Sequence, residues 1–440
     1  MRKIQILTSL LICFGFVSKG QSLPMSLEEA IATGLKNNFS ILMAINDTKI
    51  ASNNNTAGNA GFLPSINLNS GLRQTVNSTK TEDQSGIENE SSDLRTKTMT
   101  MGASLDWTLF NGLGMFIRKE RLGSLASLQQ TAERATVENT VSEIITAYFV
   151  IVQLNNSIEV LQHAIDFSKS RYELTRKKLE IGTSSELAFM KSSTDLNADS
   201  ASFLRQKAAL INAKTRLNTL LVLETTADIQ VSTPIHFDQI LEYNLLKENL
   251  TRANSQISLA KQSADLALID YRLTHAPQYP QLDFFTDYNF SRASYNFGST
   301  ARNTTNGPVF GLNLSVPVFD GFNKRRVSGN ARIEAETTKL AYAQVLKNME
   351  GLLWQYYNEY RNNLKLVTLE SANLEVARHT TKVSFEKYRI GEMSDYELRE
   401  IQLSELESEN SLLSAQFQAK KSETELLRLS GKLIESKTAK

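Results

Sequence analysis

The hydrophobic positions between Val137 and Leu179 recur every seven residues, and no proline or glycine interrupts them. A seven-residue repeat corresponds to about 3.5 residues per turn, the period of helices that pack side by side in a left-handed supercoil. A helix from near Phe116 to Gly182 would be about 100 Å long. The pattern predicts a long packed helix whose seam is the heptad row Val137, Ile144, Ile151, Ile158, Ile165, Tyr172 and Leu179.

Before this helix the period of the pattern changes to two. Apolar and polar residues alternate from Thr98 to Leu109 and, over a shorter stretch, from Ile66 to Leu72, with a polar stretch from Thr75 to Lys97 that predicts a loop. Alternation over about ten residues is typical of a membrane-spanning β-strand. It is also typical of a soluble antiparallel sheet with one face on a core, so the strands alone leave both alternatives open.

The second half of the chain repeats the first. Leu105 and Leu314, Tyr148 and Tyr357, and many other matched pairs are separated by 209 residues, whereas the pairs upstream of Leu72 are separated by 216. The difference of seven residues falls in the predicted loop, where insertions are tolerated. The matched glycines, aromatics and turn residues of the first half are Gly102, Phe110, Gly112, Ile181, Gly182 and Ser185, which recur as Gly311, Phe319, Gly321, Ile390, Gly391 and Ser394.

Each half therefore has the same predicted order of elements. A helix (Leu27–Asn59 in the first half) precedes two strands, a long helix, a break led by glycine and a returning helix that ends near Leu221 or Leu429. In the second half the strands are predicted at Leu282–Phe290 and Phe310–Val318, with a loop at Ser291–Asn306. The predicted boundaries are a signal peptide (1–20), a first repeat (21–221), a connector (222–238), a second repeat (239–433) and a C-terminal tail (434–440).

The N-terminus has the features of a secretory signal peptide. Arg2 and Lys3 precede an apolar run from Ile4 to Val17, which is too short for a transmembrane anchor, and small residues precede the predicted cut before Gln21. The only cysteine, Cys13, lies in this run, and bulky Ile12 before it disfavours the alternative of a lipoprotein cleavage site. The mature chain then has no cysteine, which excludes disulfides and thiolate metal sites.

Composition excludes several classes of function. Removal of the three positive charges at Arg2, Lys3 and Lys19 changes the formal net charge from +1 to −2, which gives no indication of a nucleic-acid partner. No other run of some eighteen apolar residues predicts a transmembrane helix. The four histidines are scattered, and neither a P-loop nor a G-x-S-x-G motif occurs. We expect no enzyme, no cofactor and no metal site.

Export and the long helices favour the membrane interpretation of the strands. Four strands cannot close a barrel, which needs about eight, and lipid does not tolerate open sheet edges. Several chains would therefore share one barrel, from which the helices emerge. Four aromatic residues cluster at the helix-proximal ends of the strands, as in an interfacial girdle: Trp107, Phe110, Phe319 and Phe322.

Over nearly the whole mature chain, the sequence resembles TolC-type outer-membrane efflux channels, the outer membrane factor family. The motifs that carry the resemblance are Leu63-Pro64-Ser65, Leu109-Phe110-Asn111-Gly112, Val316-Pro317-Val318-Phe319-Asp320-Gly321, and the turns Ile181-Gly182 and Ile390-Gly391. The resemblance implies an α+β membrane protein: a homotrimer with a twelve-stranded transmembrane β-barrel in the outer membrane and a periplasmic α-helical coiled-coil barrel. It also implies two partners, a periplasmic adaptor and an inner-membrane transporter.

The resemblance further assigns sites. The adaptor-docking tip would comprise Gly182, Thr183, Ser185, Gly391 and Ser394, although these residues could also serve only to end and begin helices. Carboxylates narrow the periplasmic entrance in such channels, and the matching positions are Glu397 and Glu400, with Arg399 between them. The glutamates depart from the more usual aspartates, and a solvated helix face is the alternative. The lipid-facing strand residues would be Leu105, Trp107, Leu109, Leu312, Leu314 and Val316.

Two other classes of protein remain open. A soluble periplasmic coiled-coil scaffold or adaptor would explain the heptads and the helical hairpins, but not four matched alternating strands. A barrel-anchored adhesin would explain export and strands, but not long helices on both sides of each strand pair. An outer-membrane exit duct for efflux or secretion explains all of these features.

Overall fold

A computed structural model of the protein describes residues 24–231, 234–237 and 241–434. Within these residues each half has the same order of short helices, two strands and two long helices, which confirms the α+β fold and its two internal repeats. The first half contains α1 (Leu27–Asn37), α2 (Phe39–Asn54), α3 (Ala57–Ala60), β1 (Ser65–Glu82), β2 (Glu88–Asn111), α4 (Gly114–Glu180) and α5 (Glu186–Leu221). The second contains α6 (Tyr243–Ala253), α7 (Ser255–Leu273), β3 (Gln281–Tyr295), β4 (Arg302–Ser315), α8 (Asn323–Ile390) and α9 (Asp395–Leu429). The predicted signal peptide, including Cys13, lies outside the described residues.

The two long helices, α4 with 67 residues and α8 with 68, confirm the prediction from the heptad pattern. Each is followed within two residues by a glycine with positive φ, +79° at Gly182 and +90° at Gly391, a conformation that glycine adopts without a Cβ penalty. The returning helices α5 and α9 end at Leu221 and Leu429, as predicted. The helical hairpins are therefore encoded by local sequence.

The seam of α4 only partly follows the predicted heptad row. Ile144 and Ile151 are fully buried, but the later members of the row, from Ile158 to Leu179, are only half-buried. The side chains that are buried in this later part belong to a different and mostly polar row: Ser157, Ala164, Ser168, Arg171 and Thr175. The prediction of an apolar seam along the whole stretch is wrong here, because Arg171 and Ser168 turn inward to charged partners on α5 and α9.

The first predicted helix is broken. It divides at Asn38 and again around Asn55. The Asn38 backbone is extended, with φ −61° and ψ 125°, and its side chain donates from Nδ2 to the carbonyl oxygen of Leu220, 2.9 Å away. The second half has the equivalent hydrogen bond, in which Nδ2 of Asn254 donates to the carbonyl oxygen of Leu429 at 3.0 Å. Ser26 and Glu29 form the predicted capping box at the start of α1.

The strands form one antiparallel sheet in the order β1-β2-β3-β4. Two predicted loops, Thr75–Lys97 and Ser291–Asn306, are wrong because most of their residues extend the strands, and β1 and β2 are joined only by a tight turn at Asp83–Ile87. These extensions are polar on both faces, so they lack the hydrophobic alternation that would predict a strand. In the other direction β4 ends at Ser315, before Pro317, which has no N–H to donate.

The contacts divide the chain into two compact units that each draw on both repeats. The first comprises the described residues of Met1–Asn38, Glu143–Asp238 and Tyr360–Lys421, and the second comprises Phe39–Ser142, Gln239–Glu359 and Ser422–Lys440. The sheet lies in the second unit, and the glycine breaks lie in the first. The predicted domain boundaries follow the sequence repeat and stay a prediction.

Among the described residues, one helix, α4, contains a stretch that is long and apolar enough to cross a membrane by length and composition. Of that stretch, 44% is buried within the protein, as in a core helix.

Candidate functional sites

The sheet has one continuous apolar face. Residues directly opposite each other on neighbouring strands project from the same face, and the register links Ile66 with Leu105, Trp107 with Phe284 and Phe284 with Leu312. Large apolar members of this face are exposed, including Leu68 at 84%, Leu312 at 64% and Leu314 at 64%. The remaining apolar members are Leu72, Met99, Met101, Ala103, Phe110, Leu282, Tyr288, Phe290 and Phe310.

The opposite face of the sheet is mostly polar. Asn67, Ser104 and Asp287 lie opposite one another on three strands, and Thr108 donates its hydroxyl to Oδ1 of Asp283 at 2.8 Å. The repeated glycines lie on this face. A Cβ atom at Gly102 would approach Oδ1 of Asn289 to 2.3 Å, and one at Gly311 would approach the ring of Phe285 to 2.8 Å. Both repeats therefore have a glycine at the position where a side chain of β3 lies over the neighbouring strand, β2 at Gly102 and β4 at Gly311.

Four of the six predicted lipid-facing residues share the apolar face: Leu105, Trp107, Leu312 and Leu314. Leu109 is the extra residue of a β-bulge between Thr108 and Phe110, and the bulge brings Phe110 opposite Leu282 on the apolar face. Val316 lies one residue beyond the end of β4. The alternation of apolar and polar residues continues as far as Leu109, so the pattern alone places Leu109 on the apolar face and does not reveal the bulge.

Sequence reasoning missed a strained turn at each junction between strand and long helix. Leu113 and Phe322, which are equivalent in the two repeats, have φ of +66° and +63°, a region that large side chains rarely occupy. Both side chains are exposed, and the Phe322 ring contacts Phe319 edge-on at 5.4 Å. The indole N–H of Trp107 donates to the carbonyl oxygen of Phe62 at 2.9 Å. The junctions thus hold aromatic and apolar groups at the edge of the apolar face.

The predicted docking residues lie together at the glycine breaks of the helical hairpins. Gly182 and Gly391 lie in the turns, while Ser185 and Ser394 accept hydrogen bonds from the backbone N–H groups of Ala188 and Glu397. The Thr183 hydroxyl donates to the carbonyl oxygen of Lys178 at 3.2 Å. The flanking residues Ile181, Leu187, Ile390 and Tyr396 are largely exposed. These residues therefore end and begin helices, and apolar groups are accessible beside the turns; their role in docking stays a prediction.

Glu397 and Glu400 are exposed one turn apart at the start of α9. Glu397 also completes a capping box, because its carboxylate accepts from the backbone N–H of Ser394 at 2.9 Å and from the Ser394 hydroxyl at 2.7 Å. These hydrogen bonds lower the pKa of the Glu397 carboxyl group. Arg399 between them is buried and faces away toward Asp199.

A buried charged cluster of α4, α5 and α9, here called the charged cluster, comprises Arg171, Asp195, Asp199, Asp395 and Arg399. Arg171 is fully buried and forms ion pairs with Asp195 and, at 3.1 Å from Nε to Oδ1, with Asp395. The Arg399 guanidinium binds both carboxylate oxygens of Asp199, at 2.8 and 2.9 Å. Bidentate pairs of this kind are strong and directional.

The hydrogen-bonding capacity of the charged cluster is not fully used. Nε and Nη1 of Arg171 and both carboxylate oxygens of Asp395 lack hydrogen bonds of good geometry within the described residues, although the two groups are in ion-pair contact. Burial raises the pKa of Asp395, an effect that Arg171 opposes and Asp195 reinforces. Burial also raises the pKa of the neighbouring Tyr388, whose hydroxyl lies 2.6 Å from that of Thr175.

Sequence reasoning missed this cluster because its residues come from three helices that are distant along the chain. The equivalent residues in the other repeat, 209 positions away, are Thr380, Ser404, Ser408, Glu186 and Met190. The repeat therefore gives no signal for it. No group of three or more histidine, cysteine, aspartate or glutamate side chains suited to a metal ion occurs in the part of the chain that the structure describes.

The sequence profile described as outer membrane efflux protein matches residues 30–221 and 246–432. No protein of curated function matches the sequence significantly. The fold is similar to those of solved outer-membrane proteins at low sequence identity. The channel CmeC of Campylobacter jejuni has a TM-score of 0.79 and 15% identity, with 92% of this chain and 86% of that chain covered.

The outer membrane protein VceC of Vibrio cholerae has a TM-score of 0.75 and 16% identity, with 92% of this chain and 96% of that chain covered. The open-state channel MtrE of Neisseria gonorrhoeae has a TM-score of 0.73 and 15% identity, with 92% and 89% covered. These similarities extend over almost the whole of each chain.

Proposed function

The chain belongs to the outer membrane efflux protein family, and on that premise we propose that three copies form the exit duct of a tripartite efflux or secretion system. The protein is an outer-membrane efflux channel whose helical part lies in the periplasm. In this proposal it conducts solutes passively to the exterior and performs no catalysis. A periplasmic adaptor and an inner-membrane transporter are its partners, and the transporter supplies the energy.

The two-faced sheet is the observation that carries the proposal. Its apolar face is exposed over all four strands, which is unfavourable in water at roughly 25 cal/mol per Å² of apolar surface but favourable in lipid. Within the described chain, the outer edges of β1 and β4 have no strand partner. Lipid does not tolerate such edges. Three chains with four strands each would close a twelve-stranded barrel, with the apolar face toward lipid and the polar face toward the pore.

The glycine breaks are proposed as the adaptor-docking tip, with Gly182, Thr183, Ser185, Gly391 and Ser394 at its centre. The exposed apolar residues beside them support this role, because a stable contact with another protein buries such groups. Glu397 and Glu400 are proposed as an acidic ring at the periplasmic entrance. Both are exposed, and the lowered pKa keeps Glu397 ionised, so three chains would present six carboxylates that attract cations.

The mass and location of the native protein test this function. We expect the protein in the outer-membrane fraction, and a mass in detergent of three chains by analytical ultracentrifugation. A monomer in the soluble periplasmic fraction would contradict the proposal and favour the periplasmic scaffold.

A further inference from the structure

A cavity of about 410 Å³ lies where the sheet meets the two long helices. Its wall includes the starts of α4 and α8, the turn at Ala276–Gln278, the last residues of β2 and β4, and the first residue of β3. Gly112 and Gly114 fix this geometry, because a Cβ atom at Gly112 would lie 2.3 Å from the carbonyl oxygen of Ala276 and one at Gly114 would lie 3.1 Å from the Ala276 Cβ. The wall is tightly packed and leaves the cavity preformed.

The cavity opens on the polar face of the sheet. The strand residues in its wall are Asn111, Gln281 and Ser315, which lie opposite one another in the register. Their neighbours Phe110, Leu282 and Leu314 form the corresponding row of the apolar face. Because side chains alternate between faces, the cavity is on the side away from the apolar surface.

The charges in the cavity wall have one sign. Among the described residues, Arg118 and Lys324 are the charged members of this wall, and no carboxylate lines it. Asp283 lies beside the cavity, but its carboxylate is engaged by Thr108 and Gln281. The Asp320 carboxylate accepts from the backbone N–H of Lys324 at 2.8 Å, in the first turn of α8. The hydrogen bond of Arg118 to the carbonyl oxygen of Ala60 is long, at 3.5 Å.

The remainder of the wall is apolar or aromatic: Leu273, Ala276, Pro277, Tyr279 and Pro317. A cavity of this size admits a small organic molecule. Two cations, polar side chains and apolar residues in one wall match a ligand with an anionic head and an apolar tail. We propose that this cavity binds anionic amphiphiles that carry a phosphate or sulfonate head. The inference rests on the proposed channel, in which the polar face lines the pore.

The same head chemistry has two sources, a solute in transit and a membrane phospholipid. Native mass spectrometry of the full chain in detergent separates them and also reports the number of chains in the assembly. The probes are octyl phosphate, inorganic phosphate, and octyltrimethylammonium as the cationic counterpart. We expect up to one octyl phosphate per chain, with binding at least tenfold weaker for the other two probes. A co-purified phospholipid that octyl phosphate displaces would support the site and identify lipid as its resident ligand.

The variant Arg118→Gln/Lys324→Gln should lose octyl phosphate binding by at least tenfold. Its matched control is Arg325→Gln/Arg326→Gln, which removes the same charge from the same junction but from residues outside the cavity wall. Two further variants test whether the double variant loses binding only because it misfolds. One is Lys324→Gln alone, and the other is the charge-preserving Arg118→Lys/Lys324→Arg, which should retain binding. Equal binding by the double variant and wild type would overturn the proposal, as would equal binding of inorganic and octyl phosphate. A monomer mass would instead contradict the proposed trimer, and the adduct on each chain would still decide the cavity.

Discussion

In a soluble protein most apolar side chains are buried and most charged side chains are exposed. The sheet and the charged cluster depart from this arrangement in opposite directions. The sheet exposes apolar side chains such as Leu314, whereas the helices bury charged ones, with Arg171 fully inaccessible. In the proposed barrel, lipid rather than water contacts the apolar face, which removes the unfavourable exposure. In the helices the unfavourable burial is offset only by partners of opposite charge. Lipid accepts many apolar side chains, but a buried guanidinium needs specific carboxylates, so the sheet should tolerate conservative change and the cluster should not.

The largest effect is expected from Arg171→Met. The change leaves Asp195 and Asp395 buried without their main cation, which typically costs about 3–5 kcal/mol. The melting temperature of the detergent-solubilised protein should fall accordingly, and a second change, Asp395→Asn, should restore part of it. Arg176→Met is the matched control, because its pair with Glu180 is exposed and should contribute at most about 1 kcal/mol. Equal melting temperatures of the two arginine variants would show that the cluster contributes no more than a surface pair.

Leu314→Arg tests the other side of the comparison. An arginine on the lipid face costs about 2–4 kcal/mol at mid-bilayer and about 0–1 kcal/mol near the interfaces. Leu314 is the second-last residue of β4 and lies in the row of Phe110, so we expect the lower end of this range and reduced assembly in the outer membrane. Asn313→Arg, on the polar face one residue away, should leave assembly near the wild-type level. The amount of heat-resistant oligomer in outer-membrane fractions measures both. Normal assembly of Leu314→Arg would indicate that this face does not contact lipid.

The pH dependence of stability separates burial from pairing in the charged cluster. The pKa of Asp395 is raised in the folded state. The protonated carboxyl group therefore contributes to stability, fully at pH values below its unfolded-state pKa, and this contribution is lost as pH rises through its folded-state pKa. The wild type should therefore lose stability relative to Asp395→Asn as pH increases across this interval. Melting temperatures of both proteins from pH 3 to 8 measure the difference. A difference that moves in the opposite direction would mean that pairing with Arg171 dominates over burial.

The smallest effect on stability is expected at the start of α9. Glu397→Gln/Glu400→Gln removes both charges but keeps an acceptor for the Ser394 capping hydrogen bonds, so the melting temperature should barely change. The ratio of cation to anion permeability in planar bilayers should fall. Glu386→Gln/Glu407→Gln removes two exposed carboxylates elsewhere on α8 and α9 and should leave selectivity unchanged. If both double variants keep wild-type selectivity, the acidic ring is refuted.

The sequence predicted those features that rest on local periodicity or on the repeat. The heptads predicted α4 and α8, and the glycines predicted the breaks at Gly182 and Gly391. The strand extensions beyond Leu72 were missed because both of their faces are polar. The bulge at Leu109 and the charged cluster depend on contacts between residues distant in sequence, such as Arg399 with Asp199. Neither leaves a periodic signal in the sequence, and of the five cluster residues only Asp395 has a charged counterpart in the other repeat, Glu186.

Cross-linking between the open strand edges tests the central proposal, a barrel shared by three chains, most directly. In a chain with Cys13→Ala, Leu68→Cys on β1 is combined in turn with Phe310→Cys, Leu312→Cys or Leu314→Cys on the same face of β4. Closure predicts that at least one pair forms disulfides between chains and yields a covalent trimer and nothing larger. Leu68→Cys with Asn313→Cys, on opposite faces, should form none. Only monomers in every combination, or a ladder that extends beyond three chains, would contradict the account.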